Sequence, residues 1–129
     1  MAEKKMDMKP LFRVIIAGSR SFSDIELMRS KCDAILKGKA VTHDIAIVSG
    51  TAGGADKMGE QYASERGYKV HRYAAKWVEL GRRAGYIRNQ QMMDNADAVI
   101  VFWDGVSKGS RHMIDIAEVA KAPLRVVRF

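Results

Sequence analysis

The chain of 129 residues, of which 47% are hydrophobic and 29% charged, is long and apolar enough for one folded domain, and this composition excludes wholesale disorder. Its single cysteine cannot form an intramolecular disulfide, the charged N-terminus is unlike a signal peptide, and no run approaches the ~18 apolar residues of a membrane span, so we expect a cytoplasmic protein with no membrane partner. The net charge of +7 favours an anionic partner, either nucleic acid or a small phosphate, although a basic surface alone would also account for it.

The first predicted element is a buried strand over Phe12–Ala17, a short apolar run rich in β-branched residues that ends in the tight turn Gly18–Arg20. Ser23–Glu26 then has the form of a capping box, which predicts the start of a helix. Apolar residues follow at helical spacing, at Ile25, Met28, Cys32 and Ile35. We expect Gly38 to end this helix and Cys32 to be a small core residue.

The second strand is predicted over Asp44–Ser49, and a glycine-rich turn over Gly50–Asp56 follows it. The remaining elements alternate between helix and strand. A helix runs to about Arg66 and stops at Gly67, and a strand over Lys69–Tyr73 and a loop with Trp77 follow it. Next come a helix over Arg82–Asn95, a strand over Ala96–Phe102 and a Gly/Ser-rich turn over Trp103–Ser110. The last two elements are a helix over Arg111–Lys121, which ends before Pro123, and a strand over Leu124–Val127.

This alternation predicts one Rossmann-like, doubly wound α/β domain over residues 11–129, preceded by a flexible tail over residues 1–10. Right-handed crossovers between parallel strands place helices on both faces of the sheet. We expect about five strands in the order 3-2-1-4-5, with the switch point between strands one and four.

Three unusual loops, those after strands one, two and four, open onto the same edge of this sheet, where doubly wound domains bind their ligands. Glycines in such turns allow backbone N–H groups to approach an anion, and the following helix adds its positive N-terminal end. Gly53 and Gly54 precede the second helix, and Gly109 and Ser110 precede the last one, so each pair is expected to cradle phosphate oxygens. The alternative is that these glycines only form tight turns.

Arginines crowd the helix that begins just beyond strand three, at Arg82, Arg83 and Arg88. The planar guanidinium suits phosphate, which favours an anion site, but charged residues near a helix start are also commonly solvated. We interpret Arg82 and Arg83 as solvated, and for Arg88 the charge pattern leaves both interpretations open.

Several common sites are disfavoured. The chain has no G-x-G-x-x-G after strand one and no G-x-x-x-x-G-K-[ST], which argues against ordinary NAD dehydrogenases and P-loop NTPases, and we predict no cofactor. His43, His71 and His112 are scattered, and one cysteine cannot build a zinc site. We therefore predict no metal and interpret the histidines as surface or packing residues.

Four blocks of sequence, in this order and at this spacing, resemble the SLOG superfamily, and within it the YspA-like, cpYpsA-related branch of small bacterial and phage proteins. The blocks are Arg13–Arg20, Ser49–Asp56, Trp77 through Gly81 to Ile87–Asn89, and Trp103–Ile114. The resemblance implies a Rossmann-like fold that binds nucleotides or nucleotide-derived ligands.

The more distant "lonely guy" phosphoribohydrolases, which cleave the base from a nucleoside 5′-monophosphate, use an arginine upstream of strand four and a glutamate in the loop signature P-G-G-x-G-T-x-x-E. Arg88, nine residues before Asp97, matches the arginine. The glutamate position is occupied by Met113, and Asp104–Val106 replaces Pro-Gly-Gly.

Glycoside cleavage passes through an oxocarbenium-like state that a carboxylate stabilises, so the missing glutamate argues against hydrolysis unless Asp104, Asp56 or Asp115 substitutes for it. If the protein is an enzyme, we expect Arg88 and Asp104 to be its catalytic residues. The similar DNA-processing protein A makes single-stranded DNA binding a second alternative, and relatives of this kind often form homodimers.

The sequence thus predicts that a phosphorylated, nucleotide-derived small molecule is bound, or sensed, at the carboxyl edge of the sheet. The expected ligand-binding residues are Gly18, Ser19, Arg20, Gly50, Thr51, Gly53, Gly54, Asp56, Trp77, Arg88, Asn89, Asp104, Gly105, Ser107, Gly109 and Ser110.

Overall fold

The computed structural model describes residues 9–129, so most of the tail predicted over residues 1–10 lies outside the described residues. Its strands are β1 (Leu11–Gly18), β2 (Asp44–Ser49), β3 (Lys69–Arg72), β4 (Ala98–Trp103) and β5 (Leu124–Arg128). Its α-helices are α1 (Ile25–Thr42), α2 (Ala55–Arg66), α3 (Trp77–Leu80), α4 (Ala84–Asp94) and α5 (Lys108–Val119), and a 3-10 turn over Gly81–Arg83 joins α3 to α4.

The five strands form one sheet in the order β3-β2-β1-β4-β5, and every neighbouring pair is parallel, which confirms the predicted fold. β1 is the central strand, and its Ile15 is paired with Val48 of β2 on one side and Val99 of β4 on the other. Because β1 is covered on both faces, its residues from Val14 to Ala17 are buried without alternation.

Each face of the sheet has its own core, because successive side chains of a strand point to opposite faces. Val14 and Ile16 pack with apolar residues of α1 and α2. Ile15 and Ala17 pack instead with residues of α4 and α5, among them Met92 and Met113.

α1 differs from its predicted form at both ends. Asp24, not Ser23, caps the helix, because the Asp24 carboxylate accepts a hydrogen bond of 3.0 Å from the Leu27 amide. The helix also passes through Gly38 and continues to Thr42. A glycine inside a helix costs about 1 kcal/mol, and the packing of Leu36 against the sheet offsets this cost.

Two boundaries near the predicted site also differ. The loop that was predicted to carry Trp77 is the short helix α3. α5 begins at Lys108 rather than Arg111, because Ser107 caps it with a side-chain oxygen that accepts a hydrogen bond from the Ser110 amide. Residues 9–129 include no helix with the length and apolar character needed to span a membrane.

Candidate functional site

A cavity of about 510 Å³ lies beyond the carboxyl ends of the sheet strands, beside the switch point between β1 and β4. This volume is within the range of small-molecule sites. Eleven of the predicted ligand-binding residues line it: Gly18, Ser19, Arg20, Asp56, Trp77, Arg88, Asn89, Asp104, Ser107, Gly109 and Ser110.

Ser19 is the residue that joins the loops around the cavity. It is fully buried, and its amide donates a hydrogen bond of 2.9 Å to the carbonyl of Phe102. Its own carbonyl accepts from the Ala55 amide at the start of α2, at 3.2 Å. Its hydroxyl accepts from the Asp104 amide, at 3.1 Å. The loops after β1 and β4 and the start of α2 therefore hold one another in place.

The glycine-rich turn after β2 supports the cavity from behind, and Gly50, Thr51, Gly53 and Gly54 are not among the lining residues. Gly54 has a φ of 66° and a ψ of −123°, and a Cβ there would lie 2.5 Å from the carbonyl carbon of Arg20. Thr51 has a φ of 63°, an uncommon backbone conformation for a residue other than glycine. The turn therefore needs Gly54 for close packing against the first loop.

Amides of this turn are largely used within the protein. The Thr51 amide donates to the Ser49 hydroxyl at 3.1 Å, and the Ala52 amide donates to the Asp56 carboxylate at 3.1 Å. At the first turn of α5, Ser107, Gly109 and Ser110 line the cavity directly. The Ser107 amide donates to the Asp104 carboxylate at 2.8 Å, and the Ser110 amide donates to the Ser107 hydroxyl at 3.4 Å. The N-terminal end of α5 therefore supplies the positive helix end that faces the cavity.

Arg88 is the most enclosed cation of the cavity. One terminal nitrogen donates to the Gly50 carbonyl, and its Nε donates to the Asn89 side-chain oxygen at 3.1 Å. Burial lowers the pKa of Arg88, against the opposing influence of the Asp56 charge. Burial likewise raises the pKa of Asp56, although the Ala52 amide and Arg88 act in the other direction. Both side chains are thus held in an environment that penalises charge.

Cavity arginines differ from most of the protein's other arginines in their partners. Within residues 9–129, none of Arg20, Arg82 and Arg88 forms an ion pair with a carboxylate. Carboxylates do pair with Arg13, Arg29, Arg66, Arg72 and Arg111. The cavity therefore concentrates positive charge that the protein itself does not neutralise by direct pairing.

Asp104 is used in the structure of its own loop. One carboxylate oxygen accepts hydrogen bonds of 2.8 Å from the amides of Val106 and Ser107. These bonds lower the pKa of Asp104, so the group is ionised at neutral pH. Next to it, Gly105 does not line the cavity, and a Cβ placed on it would lie 2.9 Å from the guanidinium carbon of Arg128.

Two partly exposed aromatic side chains border the cavity, Trp77 with 49% of its surface exposed and Tyr86 with 46%. Trp77 packs over α4 at Gly85, where a Cβ would lie 3.2 Å from the indole ring. The Tyr86 ring meets the ring of His112 edge-on, with centroids 4.5 Å apart. Both therefore present flat apolar surfaces beside the cationic wall.

Sequence reasoning missed several lining residues, namely Ala17, Ser21, Ala52, Arg82, Gly85, Tyr86, Met92 and Met113. Half of these lie on or just before α4 and share its helical phase with Asn89. Because Arg82, Gly85, Tyr86, Asn89 and Met92 follow a spacing of three or four residues, helix periodicity could have found them. Among residues 9–129 no group of three His, Cys, Asp or Glu side chains could hold a metal ion.

Comparisons with known proteins agree with this architecture. The model of the YspA, cpYpsA-related SLOG family matches residues 12–79, which is more than half of the chain. No curated protein matches the chain significantly. The X-ray structure of TM1055, a Northeast Structural Genomics Consortium target, is similar with a TM-score of 0.59 and 21% identity, and the match covers 91% of this chain and 72% of that one. At this identity the likeness shows a shared fold.

Proposed function

The chain belongs to the YspA, cpYpsA-related SLOG family, and from this premise we propose that its cavity binds a phosphorylated, nucleotide-derived small molecule. The observation that carries the proposal is the cluster of Arg20, Arg82 and Arg88, three guanidinium groups around one cavity with no carboxylate partner among residues 9–129. Arg88 is half-buried and Arg20 and Arg82 are exposed, and each guanidinium without a carboxylate partner is available to donate charge-assisted hydrogen bonds to an anionic ligand.

The phosphate is expected between these arginines and the first turn of α5. Ser107 caps the helix, and Gly109 and Ser110 expose its first turn to the cavity. An anion gains there from the helix dipole, while the Ser107 and Ser110 amides already donate to the Asp104 carboxylate and the Ser107 hydroxyl. The guanidinium of Arg88, already fixed by Gly50 and Asn89, supplies a preorganised donor on the opposite wall.

The aromatic residues account for the nucleotide part of the proposal. Trp77 and Tyr86 border the same cavity as the arginines, and each leaves about half of its side chain exposed. Nucleobases stack on such side chains with a gain of about 1–3 kcal/mol per base. A ligand with a phosphate and a base therefore uses both kinds of wall, whereas inorganic phosphate uses only one.

The proposal is tested by calorimetric titration with AMP, ADP-ribose and ribose 5-phosphate. We expect at least one to bind, and Arg82→Gln to weaken it by about 10- to 100-fold, the value of a charged hydrogen bond. Arg83→Gln is the matched control, because Arg83 is exposed like Arg82 but does not line the cavity. Absence of binding for all three compounds at millimolar concentration, or equal loss in both variants, contradicts the proposal.

One observation favours a second candidate, hydrolysis of the N-glycosidic bond of a nucleoside 5′-monophosphate. Asp56 is a buried carboxyl group in the cavity, and burial raises its pKa, as is common for general acids and bases. Both carboxylates accept from amides of their own loops, but Asp56 is buried with a raised pKa whereas the pKa of Asp104 is lowered, so Asp56 fits this role better. Chromatographic detection of free base, lost in Asp56→Asn and kept in Asp104→Asn, would support the enzyme; no release by the parent protein rejects it.

A further inference from the structure

Asn89 connects the cavity to a side chain outside it. Its amide nitrogen donates to the Gly109 carbonyl at 3.3 Å and lies 3.2 Å from Nδ1 of His112. Its amide oxygen accepts from Nε of Arg88 at 3.1 Å. Asn89 is buried, with 7% of its surface exposed, so these partners take the place of water.

The orientation of this amide is determined by its partners. If the amide were reversed, its oxygen would face the Gly109 carbonyl oxygen and its NH2 group would face the Arg88 Nε–H. Both contacts would then be repulsive. The NH2 group therefore points to His112, and Nδ1 of His112 must accept the hydrogen bond.

An accepting Nδ1 requires the neutral imidazole with its proton on Nε2. The surroundings favour that neutral form. Burial lowers the pKa of His112, and only Asp115 on the same helix acts in the opposite direction. Asp115 itself is paired with Arg111. His112 lines a second, shallow depression beside the cavity, and the positively charged Lys108 lines the same depression. From α4, the groups that face the ring are the neutral side chains of Tyr86 and Asn89.

We propose that neutral His112 is a positioning residue for the cavity: by accepting from Asn89, it holds the amide in the orientation that fixes the guanidinium of Arg88. This inference rests on the proposed function only for the identity of the ligand that Arg88 contacts. Protonation of Nδ1 sets a donor against a donor, releases the Asn89 amide, and removes the acceptor of Arg88 Nε.

The predicted sign separates positioning from simple charge. A protonated His112 near the cavity would strengthen anion binding through its added positive charge. Loss of the Arg88 orientation weakens anion binding instead. We therefore expect AMP affinity to fall by about threefold to tenfold as the pH is lowered from 8 to below the pKa of His112, the loss expected for one hydrogen bond.

The test uses the full chain and three variants. His112→Asn keeps an acceptor at the position of Nδ1 but cannot titrate, so it should retain AMP affinity and remove the dependence on His112. His112→Ala has no acceptor and should bind AMP weakly at every pH. His43→Gln is the control, since His43 lies at the opposite edge of the sheet, directly before β2. The AMP phosphate also titrates, so the ratio of wild-type to His112→Asn affinity is compared at each pH.

NMR gives a readout that does not require a ligand. The Nε–H resonance of Arg88 should move with the His112 imidazole on acidification in the wild type and stay still in His112→Asn. If AMP binds but the two proteins share one pH profile and Arg88 does not respond, the positioning role is wrong and the proposed function stands. If Arg88 responds but AMP, ADP-ribose and ribose 5-phosphate all fail to bind, the proposed function fails and the positioning role stands.

Discussion

Gly54→Ala tests how tightly the first two loops of the site depend on each other. Gly54 has a φ of 66° and a ψ of −123°, and a Cβ there would meet the backbone of Ser19 and Arg20. The strained backbone costs about 1–3 kcal/mol and overpacking about 1–3 kcal/mol more. Together these terms lower the free energy of unfolding by about 2–6 kcal/mol, a large part of the total for a small domain.

Gly53→Ala is the matched control. Gly53 lies in the same turn, but its backbone does not have a positive φ and no atom lies within 4 Å of a Cβ placed on it. We expect this variant to stay within about 0.5 kcal/mol of the parent. Urea unfolding followed by far-UV circular dichroism measures both differences. Equal stability of the two variants would refute the argument that Gly54 is required for the close packing of the two loops.

Three further predictions concern the rest of the domain. Gly38→Ala should raise the free energy of unfolding by about 1 kcal/mol in a thermal or urea melt, because the residue is exposed within α1 and nothing lies within 4 Å of its would-be Cβ; a loss of stability would show that the helix needs the glycine. Hydrogen bonds from Arg29 lower the pKa of Glu65 to about 2, so this group stabilises the fold above its ordinary pKa of 4.5 and loses that contribution as the pH falls towards 2. The melting temperature of Glu65→Gln should therefore fall less steeply than that of the parent between pH 4.5 and about 2, and an unchanged slope would contradict the linkage. Burial raises the pKa of Cys32 to about 12, so a thiol reagent at pH 8 should label it only after unfolding, and rapid labelling of the native protein would contradict its buried position.

The central strands could be predicted because β1, β2 and β4 are apolar runs followed by turn residues, and their order follows from the alternation of strands with helices. Val14–Ala17 and Val99–Phe102 are buried throughout, as is typical of parallel strands that are covered on both faces. The end of α1 could not be predicted from Gly38, because glycine is a local signal and Leu36 makes tertiary contacts that outweigh it.

The location of the candidate site could be predicted from the sequence, but only some of its lining residues could. Loop residues follow from the ends of strands, whereas the lining residues of α4 follow only when the helical spacing is counted from Asn89 to Gly85, Tyr86 and Met92. The structure places Gly54 behind the wall, packed against the first loop, so its contact with phosphate stays a prediction. The internal partners of Asp104 could not be read from the sequence, since an aspartate before a glycine fits a turn and a catalytic carboxyl equally.

Only one of the two cores of the sheet contributes side chains to the cavity. Met92 and Met113 belong to the core beneath α4 and α5 and also line the cavity, whereas Met28 and Leu36 belong to the core beneath α1 and have no part in lining it. A substitution in the core beneath α4 and α5 affects both the stability of the fold and the shape of the cavity. Oxidation of Met92 or Met113 would disturb both properties. Substitutions in the core beneath α1 affect the stability of the fold but not the lining of the cavity. A designer who wants a more stable version of this protein should therefore work on the α1 side, and one who wants a different ligand should work on the other.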